Sequence, residues 1–258
     1  MTFNEFNFKE LLQKAIDEAG FKEPSPIQEQ AIPFVLDGRD IVGQAHTGTG
    51  KTAAFGLPIL NKMKGNNGVE AVVIVPTREL AMQVSDELYR FGRFLGINTA
   101  TVYGGQAYAR QIKLIENAGI IVATPGRFLD LLRGGKIDIK PEYVILDEAD
   151  EMLDMGFLDD IKEIFTFLPK ERQTLLFSAT MPLAIKNLAK TILNEPEFIT
   201  LTKSDVTNSK ITQTFYVVDE RERDDALIRL YDYKNPTKSI IFCRTKKEVD
   251  RLSTFMVS

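Results

Sequence analysis

The chain has 258 residues, 44% of them apolar and 26% charged, with a formal net charge of −4. That length builds one large α/β domain, or one domain and part of another, and the composition excludes a disordered chain. The mild acidity argues against a large basic footprint for nucleic acid, but leaves room for a short track of backbone amides and a few arginines. Apolar runs are strand-sized, as in Ala71–Val75, and cannot span a bilayer. The opening MTFNEFNFKE lacks the basic and apolar stretches of a signal peptide, and the single Cys243 forms no disulfide within these residues; both features are expected of a cytoplasmic protein.

A helical run over Phe8–Ala19 comes first, followed by the turn-rich GFKEPSPIQ. From Asp40 to Thr202, short β-rich runs alternate with amphipathic helical ones. Strands are predicted at Asp40–Gln44, Ala71–Val75, Thr99–Tyr103, Ile120–Ala123, Tyr143–Leu146, Thr174–Ser178 and Phe198–Leu201. Helices fill the gaps, among them Arg78–Phe94, Arg110–Asn117 and Ile185–Leu193. AVVIV and YVIL are apolar without alternation, the pattern of parallel strands covered on both faces. This rhythm predicts a doubly wound, mostly parallel α/β sheet, with ligands bound beyond the carboxyl ends of its strands.

Residues 203–211 are polar and β-breaking, and read as a linker. Beyond them come a strand (Thr214–Val218), a helix (Arg223–Tyr231), a strand (Ser239–Cys243) with Cys243 as a core residue, and a helix beginning in Lys246–Met256. Two strands do not make a stable doubly wound domain. Residues 1–202 are therefore expected to form one domain, and 212–258 the incomplete start of a second.

DIVGQAHTGTGKTAAF runs strand, glycine-rich loop, helix. Gly48 and Gly50 permit backbone shapes that bring amides close to phosphate oxygens, and the helix beginning near Lys51 adds its positive dipole end. Lys51 would reach the β- and γ-phosphates, and Thr52 would ligate Mg²⁺. Ala45 stands at the first glycine position of the usual pattern, so a glycine-rich turn that merely caps a helix is the competing reading. VILDEADEML ends an apolar run in Asp147, Glu148, Asp150 and Glu151. Crowded like charges need a positive partner, and a phosphate-bound Mg²⁺ supplies one. Asp147 would hold the metal, through water, and Glu148 would orient or deprotonate an attacking water. Glu151 reads as a solvated acid opening the next helix.

Here the sequence resembles the DEAD-box ATP-dependent RNA helicases, nearly end to end. Asp147-Glu148-Ala149-Asp150 is the diagnostic tetrapeptide, and PTREL (Pro76–Leu80), Gly104-Gly105, TPGR (Thr124–Arg127) and SAT (Ser178–Thr180) are also present, in the family's order. GFKEPSPIQ resembles the family's adenine-reading motif, with an upstream aromatic at Phe3, and IIFCRT resembles the opening strand of its second domain. The resemblance implies a RecA-like P-loop NTPase domain that binds ATP and Mg²⁺ through Ala45, His46, Thr47, Gly48, Thr49, Gly50, Lys51 and Thr52. It implies adenine pairing by Gln28, with Phe21 or Phe3 stacked on the ring; a core position is the other reading of both phenylalanines. It implies that Pro76, Thr77, Arg78, Gly104, Gly105, Thr124, Pro125, Gly126 and Arg127 bind the RNA backbone without reading sequence. For either arginine alone, surface ion pairing is the competing reading. Asp150, Ser178 and Thr180 would couple nucleotide state to RNA. His46 stands where the family often has Gln. The family's later motif with its arginine fingers is absent from these residues, so this chain alone is expected to turn over weakly, or to act only as a nucleotide-dependent RNA clamp.

Overall fold

The computed structural model describes residues 1–65, 68–201, 212 and 214–257. The chain divides into two compact units, Met1–Thr207 and Asn208–Ser258. The predicted linker, residues 203–211, lies outside the described residues.

The first unit runs α1 (Glu10–Glu18), α2 (Pro26–Leu36), β1 (Ile41–Gln44), α3 (Lys51–Lys62), β2 (Ala71–Ile74), α4 (Arg78–Gly92), β3 (Thr99–Val102), α5 (Tyr108–Ile115), β4 (Ile120–Ala123), α6 (Pro125–Arg133), β5 (Tyr143–Leu146), α7 (Ala149–Asp154), α8 (Leu158–Phe167), β6 (Gln173–Ser178), α9 (Leu183–Ile192) and β7 (Glu197–Thr200). The seven strands form one all-parallel sheet in the order β3-β4-β2-β5-β6-β1-β7. The doubly wound sheet read from the sequence is thus present, each strand within a residue or two of its predicted limits.

Alternate strand residues feed two cores. Ala71, Val73, Ile120 and Val122 join the layer of α1–α4 on one face. Val72, Ile74, Ile121 and Ala123 join the layer that includes α6, α8 and α9 on the other. Burial on both faces is why these strands show no polar alternation.

Strand order sorts the motifs. Across the carboxyl edge, β3, β4 and β2 end in Gly104-Gly105, TPGR and PTREL. The next three, β5, β6 and β1, end in DEAD, SAT and the glycine loop. The candidate RNA motifs therefore occupy one half of the edge and the nucleotide motifs the other. Local chemistry fixes where the helices begin: the Thr77 hydroxyl caps α4 by accepting from the Leu80 amide at 3.2 Å, and Thr124-Pro125 opens α6.

The second unit holds helices α10 (Arg223–Lys234) and α11 (Lys246–Val257), joined by ion pairs Arg251–Asp224 and Arg223–Glu248. The strands predicted at Thr214–Val218 and Ser239–Cys243 do not form a ladder among the described residues. Phe215, Val217, Ile240 and Phe242 are exposed instead. A pair of short strands with no third neighbour gains too little from pairing to hold a sheet. Cys243 is accordingly half-exposed, lining a small apolar cavity of this unit rather than sitting in a strand core.

Candidate active site and nucleic-acid cleft

The glycine loop is built as its composition requires. Gly48 and Gly50 take left-handed φ of 82° and 89°, and Gly50 caps α3 so that Lys51 and Thr52 lie in its first turn. Ala45 needs no such freedom; it is buried, and its amide donates to the Ser178 carbonyl at 3.0 Å, tying the loop to β6. Thr49 Oγ1 donates to the His46 carbonyl at 2.8 Å, folding the loop on itself. The His46 side chain is exposed.

Lys51 Nζ stands 3.4 Å from Asp147 Oδ1 and 4.0 Å from Glu148 Oε1. It is buried and makes no hydrogen bond. Burial pushes the Asp147 carboxyl up while Lys51 pulls it down, and burial prevails. Thr47 Oγ1 donates to Glu148 Oε1 at 3.0 Å, bridging loop and strand tip. Glu148 has a left-handed backbone, φ 57°, an uncommon posture for a side chain of its size. Glu151 is exposed in the first turn of α7, as read from the sequence, and a hydrogen bond with Glu148, burial and nearby negative charge raise its carboxyl.

Asp150 reaches the turn after β6. Its Oδ2 accepts from the Thr180 amide and hydroxyl, each at 2.8 Å, and its own amide donates to Ser178 Oγ at 3.1 Å. Ser178 in turn donates to the Thr180 carbonyl at 2.7 Å.

The adenine-side residues are arranged differently from the expectation. Phe3 is 2% exposed, packed edge-on against Phe6 and Phe21, and offers no face to a purine. Its partner Phe21, eighteen residues on, is half-buried. Gln28 is 3% exposed. Its Oε1 accepts from the Ser25 amide at 2.9 Å, and its Nε2 donates to the Gly50 carbonyl at 3.0 Å. Ser25 Oγ donates to the Thr49 carbonyl at 2.7 Å. This motif therefore grips the glycine loop, and Gln28 keeps one N–H and one lone pair for another partner.

Pro76, Thr77, Arg78, Gly104, Thr124, Gly126 and Arg127 line one open cleft of about 440 Å³. Gly105 adjoins it: its φ is 92°, and a Cβ there would come within 3.1 Å of Arg78 Nη1. Pro125 is buried as the first residue of α6. Arg78 is exposed, whereas Arg127 is engaged internally. Arg127 Nη1 donates to the Gln106 carbonyl at 2.7 Å and to Gln111 Oε1 at 2.9 Å, over the Tyr108 ring. The sequence reading missed Met155 and Phe157, which give the cleft an apolar wall. It also missed fully buried Gln111, which braces Arg127 and donates to the Tyr103 carbonyl at 2.8 Å. A glutamine inside the amphipathic run of α5 was the available signal.

Residues 25–188 match the DEAD/DEAH box helicase family. The chain is similar to the DEAD-box ATP-dependent RNA helicase RhpA of Helicobacter pylori (strain ATCC 700392 / 26695), 56% identical over 259 residues covering 100% of this chain and 53% of that protein. It is similar to the DEAD-box ATP-dependent RNA helicase CshA of Bacillus subtilis (strain 168), at 48% identity covering 98% of this chain and 52% of that one. The crystal structure of a DEAD box protein from the hyperthermophile Methanococcus jannaschii superposes with a TM-score of 0.76 at 42% identity, covering 100% of this chain and 70% of that one. The chain spans about half the length of the curated relatives it matches. A match of this extent, on a sheet that gathers the motifs along one carboxyl edge, makes this chain a member of the DEAD/DEAH box helicase family.

Proposed function

We propose that this chain binds ATP with Mg²⁺ at the glycine loop and an RNA backbone in the cleft beyond β2, β3 and β4. In the whole protein, ATP hydrolysis would then drive local separation of short RNA duplexes. The observation that carries the reading is the Lys51 ammonium, buried without a hydrogen bond at the mouth of a loop with two left-handed glycines. Asp147 and Glu148 stand 3.4 and 4.0 Å away without satisfying the N–H groups of this ammonium, and a triphosphate oxygen is the hydrogen-bond partner its position suits.

The donor set also fits a magnesium ion shared with phosphate. Among the described residues no three of His, Cys, Asp and Glu gather into a metal cage. Thr52 and Asp147 alone would hold Mg²⁺ only with phosphate oxygens and waters completing its shell, which is its usual habit. When bound, the ion neutralises charge developing on the phosphates. The amides of residues 46–52 orient the triphosphate, Phe21 and the free edge of Gln28 receive the adenine, and Glu148 Oε accepts a proton from the attacking water. Asp150, Ser178 and Thr180 carry the change of state toward the RNA half of the edge. Arg78 and the amides at Gly104, Gly105, Thr124 and Gly126 hold phosphates, so binding is independent of sequence. Unit 212–258 is read as the opening of the second α/β domain, and cytoplasmic residence goes with an RNA substrate and a lone cysteine.

Calorimetry with Mg·ATP and measurement of phosphate release test the reading. The chain should bind ATP, Glu148→Gln should keep that affinity while turnover falls about 10²–10⁴-fold, and RNA should stimulate release more than DNA. A form extended to the relatives' full length should turn over faster than this chain. Equal stimulation by DNA would remove the RNA assignment, and unchanged turnover in Glu148→Gln would remove the base.

A further inference from the structure

The glycine loop touches the acidic strand tip through a side chain as well as facing the phosphate site. Thr47 Oγ1 donates to Glu148 Oε1 at 3.0 Å, between residues 101 apart in sequence. A carboxylate only accepts, so the direction of the bond is fixed. Both of its ends are held. On the loop side, Thr47 stands between His46, whose carbonyl accepts from Thr49 Oγ1 at 2.8 Å, and Gly48, at a left-handed φ of 82°. Ser25 Oγ and Gln28 Nε2 hold the Thr49 and Gly50 carbonyls at 2.7 and 3.0 Å, which anchors the loop to the start of α2. On the strand side, Glu148 keeps its left-handed φ of 57° while its amide donates to Asp147 Oδ1 at 3.0 Å.

The backbone at 148 is thus set, but the carboxyl group turns about a soft terminal torsion and could present either oxygen. Lys51 Nζ is 4.0 Å from Oε1 and makes no hydrogen bond with it. The Thr47 hydroxyl is therefore the group that fixes the rotation. Stability gives little reason for it, because Thr47 is exposed and exchange of an exposed side chain ordinarily costs little. Resting on the ATP-hydrolysis reading above, we propose that Thr47 is a positioning residue for Glu148. Its hydroxyl ties down Oε1 and leaves Oε2 to face the attacking water. The water oxygen bonds to the γ-phosphorus and its proton passes to Oε2. The bond from the γ-phosphorus to the bridging oxygen breaks, releasing ADP and inorganic phosphate. The loop whose amides orient the triphosphate also aims the base, so both reacting partners are placed by one segment.

Single-turnover phosphate release from Mg·ATP tests this, in the protein extended to its relatives' full length with RNA present, beside ATP affinity by calorimetry. Thr47→Val keeps the shape and removes the hydroxyl. It should lower the single-turnover rate about 10–100-fold, the scale of one hydrogen bond to a charged group, and leave affinity within about 3-fold. Thr47→Ser keeps the hydroxyl and should retain most of the rate. In a Glu148→Gln background, Thr47→Val should slow release no further, because the carboxylate it aims is already gone. A loop residue that only supports the fold would lower affinity and rate together, in either background, and that result overturns the proposal. An unchanged rate in Thr47→Val, or a Thr47→Ser variant no faster than Val, also overturns it. Should the parent bind no Mg·ATP, the nucleotide reading fails; should it bind but turn over equally as Glu148→Gln, the base assignment fails; either removes this role. Thermal melting identifies a misfolded variant, and Thr47→Ser then decides by its own rate, which must stay within about 3-fold of the parent.

Discussion

Lys51 Nζ and Asp147 Oδ1 face each other at 3.4 Å with side chains only 5% and 4% exposed, across the gap between the glycine loop and the tip of β5. The distance is that of an ion pair held slightly apart, and the ammonium has no hydrogen bond. Each charge suppresses the cost of burying the other, so removing one strands its partner. Lys51→Ala should therefore abolish Mg·ATP binding in calorimetry and also destabilise the folded chain by about 3–5 kcal/mol. Lys51→Met combined with Asp147→Leu should recover most of that stability without recovering binding. Normal ATP affinity in Lys51→Ala would contradict the phosphate-loop reading.

Gly48 and Gly50 separate two reasons for glycine in the same loop. At Gly48, φ is 82° but an added Cβ meets nothing within 4 Å. At Gly50, φ is 89° and the Cβ would lie 2.3 Å from Gln28 Nε2. Gly48→Ala should cost only the left-handed penalty, about 1–2 kcal/mol. Gly50→Ala should cost more, because it also breaks the Gln28–Gly50 hydrogen bond, worth about 1 kcal/mol. Chemical denaturation of the two variants checks the order. Equal costs would show that Gln28 moves aside freely.

Much of this was legible in the sequence because it depends on local chemistry. Unalternating runs such as YVIL announced strands buried on both sides, and the amphipathic run Arg78–Phe94 announced α4. The placement of Asp150 beside Thr180 also followed, through the family resemblance. What stayed hidden depends on residues brought together over distance. Phe3 gained its neighbours only when Phe21 and Phe91 closed around one another. Gln28 was read toward a ligand because nothing in PSPIQ reveals that Gly50 would lie beside it. The strands of unit two were read from local sequence, with IIFCRT also resembling a family strand, and neither supplies the partners that a ladder needs.

Arg78 and Arg127 line the same cleft and should behave differently. Arg78 is exposed, lies near Gly105, and among the described residues has no hydrogen bond that would commit it. Arg78→Ala should weaken RNA binding evenly across sequences and lower the slope of log K against log salt by about 1, with little change in stability. Arg127→Ala removes two hydrogen bonds and leaves fully buried Gln111 Oε1 without its donor, so it should cost about 1–3 kcal/mol of stability. Melting curves beside salt-dependent RNA titrations distinguish the two. A stable Arg127→Ala chain with a reduced salt slope would return that arginine to the phosphate-binding set.

Asp150 gives a pH dependence whose sign follows from its partners. Burial alone would raise its carboxyl, but hydrogen bonds from the Thr180 hydroxyl and amide and from the Ala179 amide outweigh it and hold it below the usual aspartate value. A carboxyl depressed in the folded chain stabilises the fold above its unfolded value, and that contribution is lost as pH falls through the folded value. Asp150→Asn should therefore destabilise the chain at neutral pH, by about 1 kcal/mol after screening of this partly exposed group. The difference between variant and parent should shrink as pH drops below about 4. Denaturation at pH 7 and at pH 3.5 measures it. A gap that stays constant would mean the ionised form contributes nothing, and that Thr180 is held by Asp150 through shape alone.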